Sequence, residues 1–192
     1  LQATRGEQLR ALVLAWHNSV KWRDIVYVPG LRFEEPAPRV PDARKARQGI
    51  IEQLAQLASR EWIEMSSFVS HMRERAPDFQ RLAGDYDSWH VFDCNTGERL
   101  RGFENWDRVD GPLITFLIRG PLHWLGIADI CVEPVGFRLT SVGDVLWGGG
   151  GTWEIKERSQ PMLVSVDGLL QADRTTSRAD RFLAARIGEW EK

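Results

Sequence analysis

Between Asp85 and Asp93 the chain gathers Asp85, Asp87, Ser88, His90 and Asp93: carboxylates, a hydroxyl and an imidazole in one short run. Those residue types suit acid–base or triad chemistry, in which a nucleophile sits against a base that an acid orients. No G-x-S-x-G accompanies them. On a strand, Ser88 and His90 share one face while Trp89 points to the other. The expected reading is therefore a polar, solvated strand face. Metal chemistry fares no better. Cys94 and Cys131 stand 37 residues apart, and no pair among them and His17, His71, His90 and His123 has ligand spacing. His123, in Pro121-Leu122-His123-Trp124, reads as a corner histidine bonded to backbone. Gly148–Gly151 is followed by Thr152-Trp153 rather than Lys-Ser/Thr, so it reads as a flexible joint and not a phosphate loop. No catalytic residue, metal or cofactor is expected, and the chain is read as a non-enzyme.

The remaining candidates are basic. Arg44, Lys45 and Arg47 fall together, with Arg39 before them and Arg73, Arg75 and Arg81 downstream. If exposed, they would contact phosphates and make binding salt-dependent. The competing reading is a solvated helix face. Bulk charge does not advertise a nucleic-acid binder: the net charge is −2 and the pI about 6.1. Its distribution is uneven, +2 over residues 1–80, −4 over 81–150 and 0 over 151–192.

These residues need elements to position them. Leu9, Leu12, Val13 and Trp16 form one apolar face of a helix over Gly6–Ser19, with Ser19 and Asp24 placed to cap a following turn. Glu34–Pro41, with three prolines, reads as an extended connector. Asp42 caps a helix from Ala43 to about Ala58, lined by Ala46, Ile50, Leu54 and Leu57. Glu61–Glu64 reads as a short strand. Ser66 or Ser67 then caps a third helix with Phe68, Val69 and Met72. Trp89–Asp93, the turn Asn95-Thr96-Gly97 and Arg99–Arg101 read as a hairpin inserted before the next helix. That helix runs from Trp106 to Arg119 with Val109, Leu113, Phe116 and Leu117 inward, Pro112 being tolerable only near its start. Ile127–Val132 and Phe137–Thr140 read as two strands, and Thr140 or Ser141 caps a last turn. Beyond the glycines, Met162–Gln171 reads as a hairpin around Asp167-Gly168, and Ser177 caps a helix with Phe182, Leu183, Arg186 and Trp190.

Composition sets the class. The chain has 192 residues, 43% hydrophobic and 27% charged, ordinary values for a soluble globular protein. No apolar run approaches the ~20 residues of a membrane span, and no signal peptide is visible. The chain opens without Met, as a processed or excised piece would. Two free thiols fit a reducing, cytoplasmic compartment. Nine tryptophans, Trp16, Trp22, Trp62, Trp89, Trp106, Trp124, Trp147, Trp153 and Trp190, are each expected to anchor a local core.

Five segments carry a family resemblance. They are PDFQR at Pro77–Arg81, GDYDSW at Gly84–Trp89, GF-x-x-WD-x-V-x-G at Gly102–Gly111, GPLHWLG at Gly120–Gly126 and FRLT-x-x-G at Phe137–Gly143. Together they resemble the N-terminal, winged-helix-bearing part of bacterial helicase-associated proteins, which carry a domain similar to the N-terminal domain of XPB-type DNA repair helicases. The run Val164–Trp190 resembles the start of that second domain. Pro112 and the four glycines have no counterpart in the pattern. The motifs are structural and hold no catalytic residue, so the resemblance implies a fold, and implies DNA only by analogy of fold.

The sequence thus predicts an α+β protein. An N-terminal helical segment (1–35) precedes a winged helix-turn-helix core with an inserted β-hairpin (36–147), a Gly linker (148–151) and a hairpin-plus-helix (152–192), read either as docking on the rest or as the start of a further domain. The expected function is a non-enzymatic, DNA-associated accessory domain that contacts phosphates with weak sequence preference. Arg44, Lys45, Arg47, Arg73 and Arg75 are its expected contacts, with Arg138 on the second wing strand. The alternative, favoured by the many tryptophans and the acidic middle segment, is a protein–protein interaction module of a helicase-related or regulatory assembly; the helix over Trp106–Arg119 carries few polar positions that could read base edges.

Overall fold

The computed structural model describes residues 5–34, 42–57, 61–146, 160–173 and 176–186. The connector at 35–41, the four glycines, Arg39, Trp147, Trp153 and Trp190 lie outside them. The chain divides into two compact units, Leu1–Trp153 and Glu154–Lys192.

In the first unit α1 (Arg5–Asn18) leads through a helical turn at Asp24–Tyr27 to β1 (Leu31–Phe33). Then follow α2 (Ala43–Leu54), β2 (Ile63–Glu64), α3 (Met65–Arg75), β3 (Val91–Asp93), α4 (Trp106–Leu117), β4 (Ala128–Cys131), β5 (Gly136–Leu139) and α5 (Ser141–Leu146). β2, β5 and β4 form an antiparallel sheet in that order, with Phe137 of β5 opposite both Ile63 and Ile130. α2, α3 and α4 share one core cluster with this small sheet, whose first strand falls in sequence between α2 and α3.

Local chemistry explains the starts and faces of these helices. The Asp42 carboxylate accepts the Arg44 backbone N–H at 3.0 Å and caps α2. Ala46, Ile50 and Leu54 recur every four residues and are buried. In α3 the buried residues are Met65, Phe68 and Met72, and Phe68 meets Phe137 edge-on at 5.3 Å. Ser66 and Ser67 do not cap α3 as expected. The helix starts at Met65, ahead of both serines, and their hydroxyls donate back to the Glu64 carboxylate. α4 buries Val109, Leu113, Ile114 and Leu117. Pro112 is its seventh residue rather than part of its first turn. The chain leaves α4 through a wide turn, Ile118–Leu122, broken at Gly120 (φ −100°, ψ −105°). His123 turns the corner, its Nδ1 2.9 Å from the Ala128 carbonyl. Thr140 caps α5 by accepting the Gly143 N–H.

The inserted hairpin is present only as a bridge between Phe92 and Arg99, with Asp93 N–H donating to the Glu98 carbonyl and Leu100 N–H to that of Val91. The stronger partner of β3 is β1, in register Leu31↔Asp93 to Phe33↔Val91. The N-terminal segment is thus built into this unit. Val13, Ile25, Val28 and Leu31 belong to the same core cluster as α2, α3 and α4. Leu12, expected on the inner face of α1, is exposed.

Gly136 is where β2 and β5 approach most closely. A Cβ built there would lie 2.8 Å from the Ile63 carbonyl oxygen, a backbone atom that cannot swing aside. Gly136→Ala is expected to cost about 1–3 kcal/mol through forced backbone shifts, read as a lower urea midpoint. A neutral result would show that β2 is free to move away.

The second unit holds a hairpin, β6 (Leu163–Val164) paired with β7 (Leu170–Gln171). Gly168 (φ +81°) occupies the left-handed position of its turn. α6 (Arg178–Ala185) follows, capped by the Ser177 side chain accepting from the Asp180 N–H.

Candidate binding groove

The six basic residues singled out from sequence do not form one surface stripe. Arg47 is the plain correction: it is 1% exposed, and it lies inside the unit. Its Nε donates to Asp24 at 2.7 Å, and its two terminal nitrogens donate to the carbonyls of Trp16, Ser19 and Trp22. Asp24, expected as a turn cap, also accepts the indole N–H groups of Trp16 (3.1 Å) and Trp22 (3.0 Å). Arg44 is exposed but grips Asp42 through Nε and Nη2 at 3.0 and 2.8 Å. That bond holds the Asp42 carboxyl below its usual range. Arg73 pairs with Asp107 at 2.6 Å and lies over the Phe103 ring. Arg138 pairs with Asp129 at 2.9 Å and stacks 4.8 Å above Trp62. Lys45 and Arg75 are exposed. On α4 itself, Arg108 is held by Asp93 and Glu98 at 3.0 and 2.9 Å. Local acids thus take up much of the basic charge.

The Asp85–Asp93 cluster is structural. Asp85 accepts the backbone N–H and hydroxyl of Ser88. Asp93 accepts the N–H groups of Asn95 and Thr96, which lower its pKa first, with Arg108 adding to the effect. His90 contributes its carbonyl to Glu34. Among the described residues no three His, Cys, Asp or Glu side chains converge as a metal site would need.

What the fold does build is a groove of about 1030 Å³ over the outer side of α4. Its floor is made of small or ring-shaped residues, Gly111, Pro112 and Thr115. Met65 and Val69 of α3 wall one side, and Phe116 and Trp124 also line it. The turn between β4 and β5 contributes Pro134 and Val135, and Glu64, Asp107 and Arg119 add the charge. α3 and α4 run in opposite senses along it, because Arg73 meets Asp107 while Val69 sits 3.4 Å from where a Gly111 Cβ would be. A second hollow of about 400 Å³ shares Glu64, Pro134 and Val135 and extends to Trp62. Trp124 is 67% and Trp62 51% exposed, so these two, with Trp22, do not anchor a core as expected. Trp89 and Trp106 do, both being buried, and the Trp106 indole donates to the Pro77 carbonyl at 3.0 Å.

Sequence reasoning missed the groove. The available signal was a helix of aliphatic residues interrupted at four-residue spacing by Gly111 and Thr115, with a tryptophan at position 124 just beyond it.

α4 also carries a buried ionic cluster, beginning at Asp110 next to Gly111. Asp110 pairs with Arg81 and accepts the Gln80 side-chain amide at 2.6 Å. The Arg81 guanidinium lies between the rings of Tyr86 and Trp89, 4.4 and 4.7 Å from their centroids. Burial pushes the Asp110 carboxyl up to about 6, against the pull of Arg81 and Gln80. Burial, then the bond to Asp78, raises the Tyr86 phenol.

Compared with known protein families, with curated proteins and with solved structures, the chain matches none.

Proposed function

We propose that the helix–strand–helix–helix–strand–strand order of α2, β2, α3, α4, β4 and β5 is a winged helix-turn-helix, and that it serves as a non-catalytic accessory module of a helicase-related or regulatory assembly. Its binding face is the groove over α4, and the ligand of that groove is protein. The observation that carries this reading is the chemistry of the face: apolar side chains, small floor residues and an exposed indole, where a DNA reader would present arginines and amides. Winged helices that read DNA place the equivalent of α4 in the major groove. Here the polar side chains at the N-terminal end of that helix are spent on the Arg73–Asp107 pair and on Arg108 with Asp93 and Glu98.

A photo-reactive phenylalanine analogue at position 115 tests the reading in cells that express the chain. It is expected to give a protein adduct that Trp124→Ala abolishes, while the same probe at position 45 gives none. The absence of any adduct at 115 would sink it.

DNA is the second reading, favoured by the exposure of Lys45 and Arg75 outside any described ion pair. Fluorescence anisotropy with labelled duplex and single strands decides it. We expect no binding tighter than micromolar at low salt. Tight binding that weakens steeply with salt would reverse the order of the two readings.

A further inference from the structure

We propose that the protein seated in the groove is a second copy of this chain, in a two-fold symmetric pair. The inference rests on reading the groove as a protein-binding face and names its occupant. A two-fold contact needs a patch that complements itself, with residue i of one copy meeting j of the other and j meeting i.

The groove has that property twice. In charge, it carries one acid and one base without ion-pair partners among the described residues: Glu64 on the α3 side and Arg119 on the α4 side. The Glu64 oxygens accept only the hydroxyls of Ser66 and Ser67. An axis between Glu64 and Arg119 brings each against the other in the second copy, forming two equivalent ion pairs at the rim. In shape, a ridge stands beside a hollow. Trp124 projects 67% exposed, yet it is held in place. Its ring edge would lie 3.4 Å from a Cβ on Gly120, and it meets Phe116 edge-on at 6.3 Å. In this pairing the seat of each indole is the apolar lining of the other copy's groove. A pre-set tryptophan entering an apolar hollow is the usual anchor of a protein contact, and charges at the rim set register more than affinity.

Sedimentation equilibrium of the full chain over a wide concentration range tests this. The expected result is a reversible monomer–dimer equilibrium, with Trp124→Ala weakening it by at least about thirtyfold. Arg119→Glu and Glu64→Lys each place like charges across the contact and are expected to be monomeric alone. Mixed, they restore both ion pairs and form a one-to-one heterodimer. Circular dichroism melts of the three variants, all at exposed positions, check that each is folded. A chain that stays monomeric throughout, a dimer indifferent to Trp124→Ala, or a mixture that fails to associate would overturn the proposal. The position-115 adduct separates this failure from that of the groove itself. An adduct with a different protein removes the second copy and leaves the groove; no adduct removes both.

Discussion

Arg47→Met is expected to destabilise the first unit by about 3–5 kcal/mol, the cost of breaking a buried ion pair from one side. The loss has two parts. Asp24, 2% exposed, keeps a charge whose strongest partner is gone. The carbonyls of Trp16, Ser19 and Trp22 lose the donors that satisfied them inside the fold. Because those carbonyls belong to α1 and the loop after it, the N-terminal segment should loosen first. Urea unfolding followed by tryptophan fluorescence gives the total cost. Hydrogen exchange shows its place, with faster exchange expected in residues 5–34. Arg47→Lys keeps the charge but has no planar fork to span several acceptors, so it should recover only part of the loss. Adding Asp24→Asn to Arg47→Met removes the stranded charge and should return some stability, though not the carbonyl bonds. A cost below about 1 kcal/mol for Arg47→Met, the range of surface pairs, would mean that the guanidinium is solvated and the N-terminal segment is held by its apolar contacts alone.

Arg47 also shows where the sequence stops being legible. Its charge argues for the surface, although its spacing from Ala43, Ile50 and Leu54 puts it on the buried face of α2, apart from Arg44 and Lys45. What buries it is Asp24, 23 residues away. The same division holds across the fold. Asp42 as a cap, the Ala46–Ile50–Leu54 face and the His123 corner depend on neighbours within a few residues, and each is present where local chemistry places it. The pairing of β1 with β3 joins segments about sixty residues apart, and nothing in either three-residue run specifies the other. The groove is legible only after the fact. Gly111 and Thr115 read as helix-weakening residues until α3 is laid beside them and the missing side chains become a hollow. Trp62 and Trp124 divide the same way: a tryptophan's size argues for burial in general, but these two stay exposed beside the hollows they line.

Removal of Arg81 is expected to have the second large effect, and one that depends on pH. Asp110 is fully buried and its carboxyl sits near 6 rather than at 3.8. Burial raises it, and the Arg81 charge and the Gln80 amide hold it from rising further. A folded-state value above the unfolded one means that the folded protein binds the proton more tightly. The stability from this group is therefore fully present below about 3.8 and is lost as pH rises through about 6. The displacement corresponds to about 3 kcal/mol at neutral pH. Arg81→Met takes away the attraction, so Asp110 titrates higher still. The variant's deficit should be smallest below about pH 6, where Asp110 is protonated in both proteins, and should widen as pH rises past it. At neutral pH it should reach about 3–5 kcal/mol, including the lost packing between Tyr86 and Trp89. Asp110→Asn works in the opposite direction. It keeps an oxygen for Arg81 and Gln80 but has no charge to desolvate, so its stability relative to the parent should rise with pH between about 4 and 6. Urea midpoints of the three proteins from about pH 4 to about pH 8 test both signs together. Parallel curves would show that Asp110 titrates as an ordinary carboxylate, and a deficit of Arg81→Met that shrinks with rising pH would show that the ion pair is not what holds α4 to the segment around Arg81.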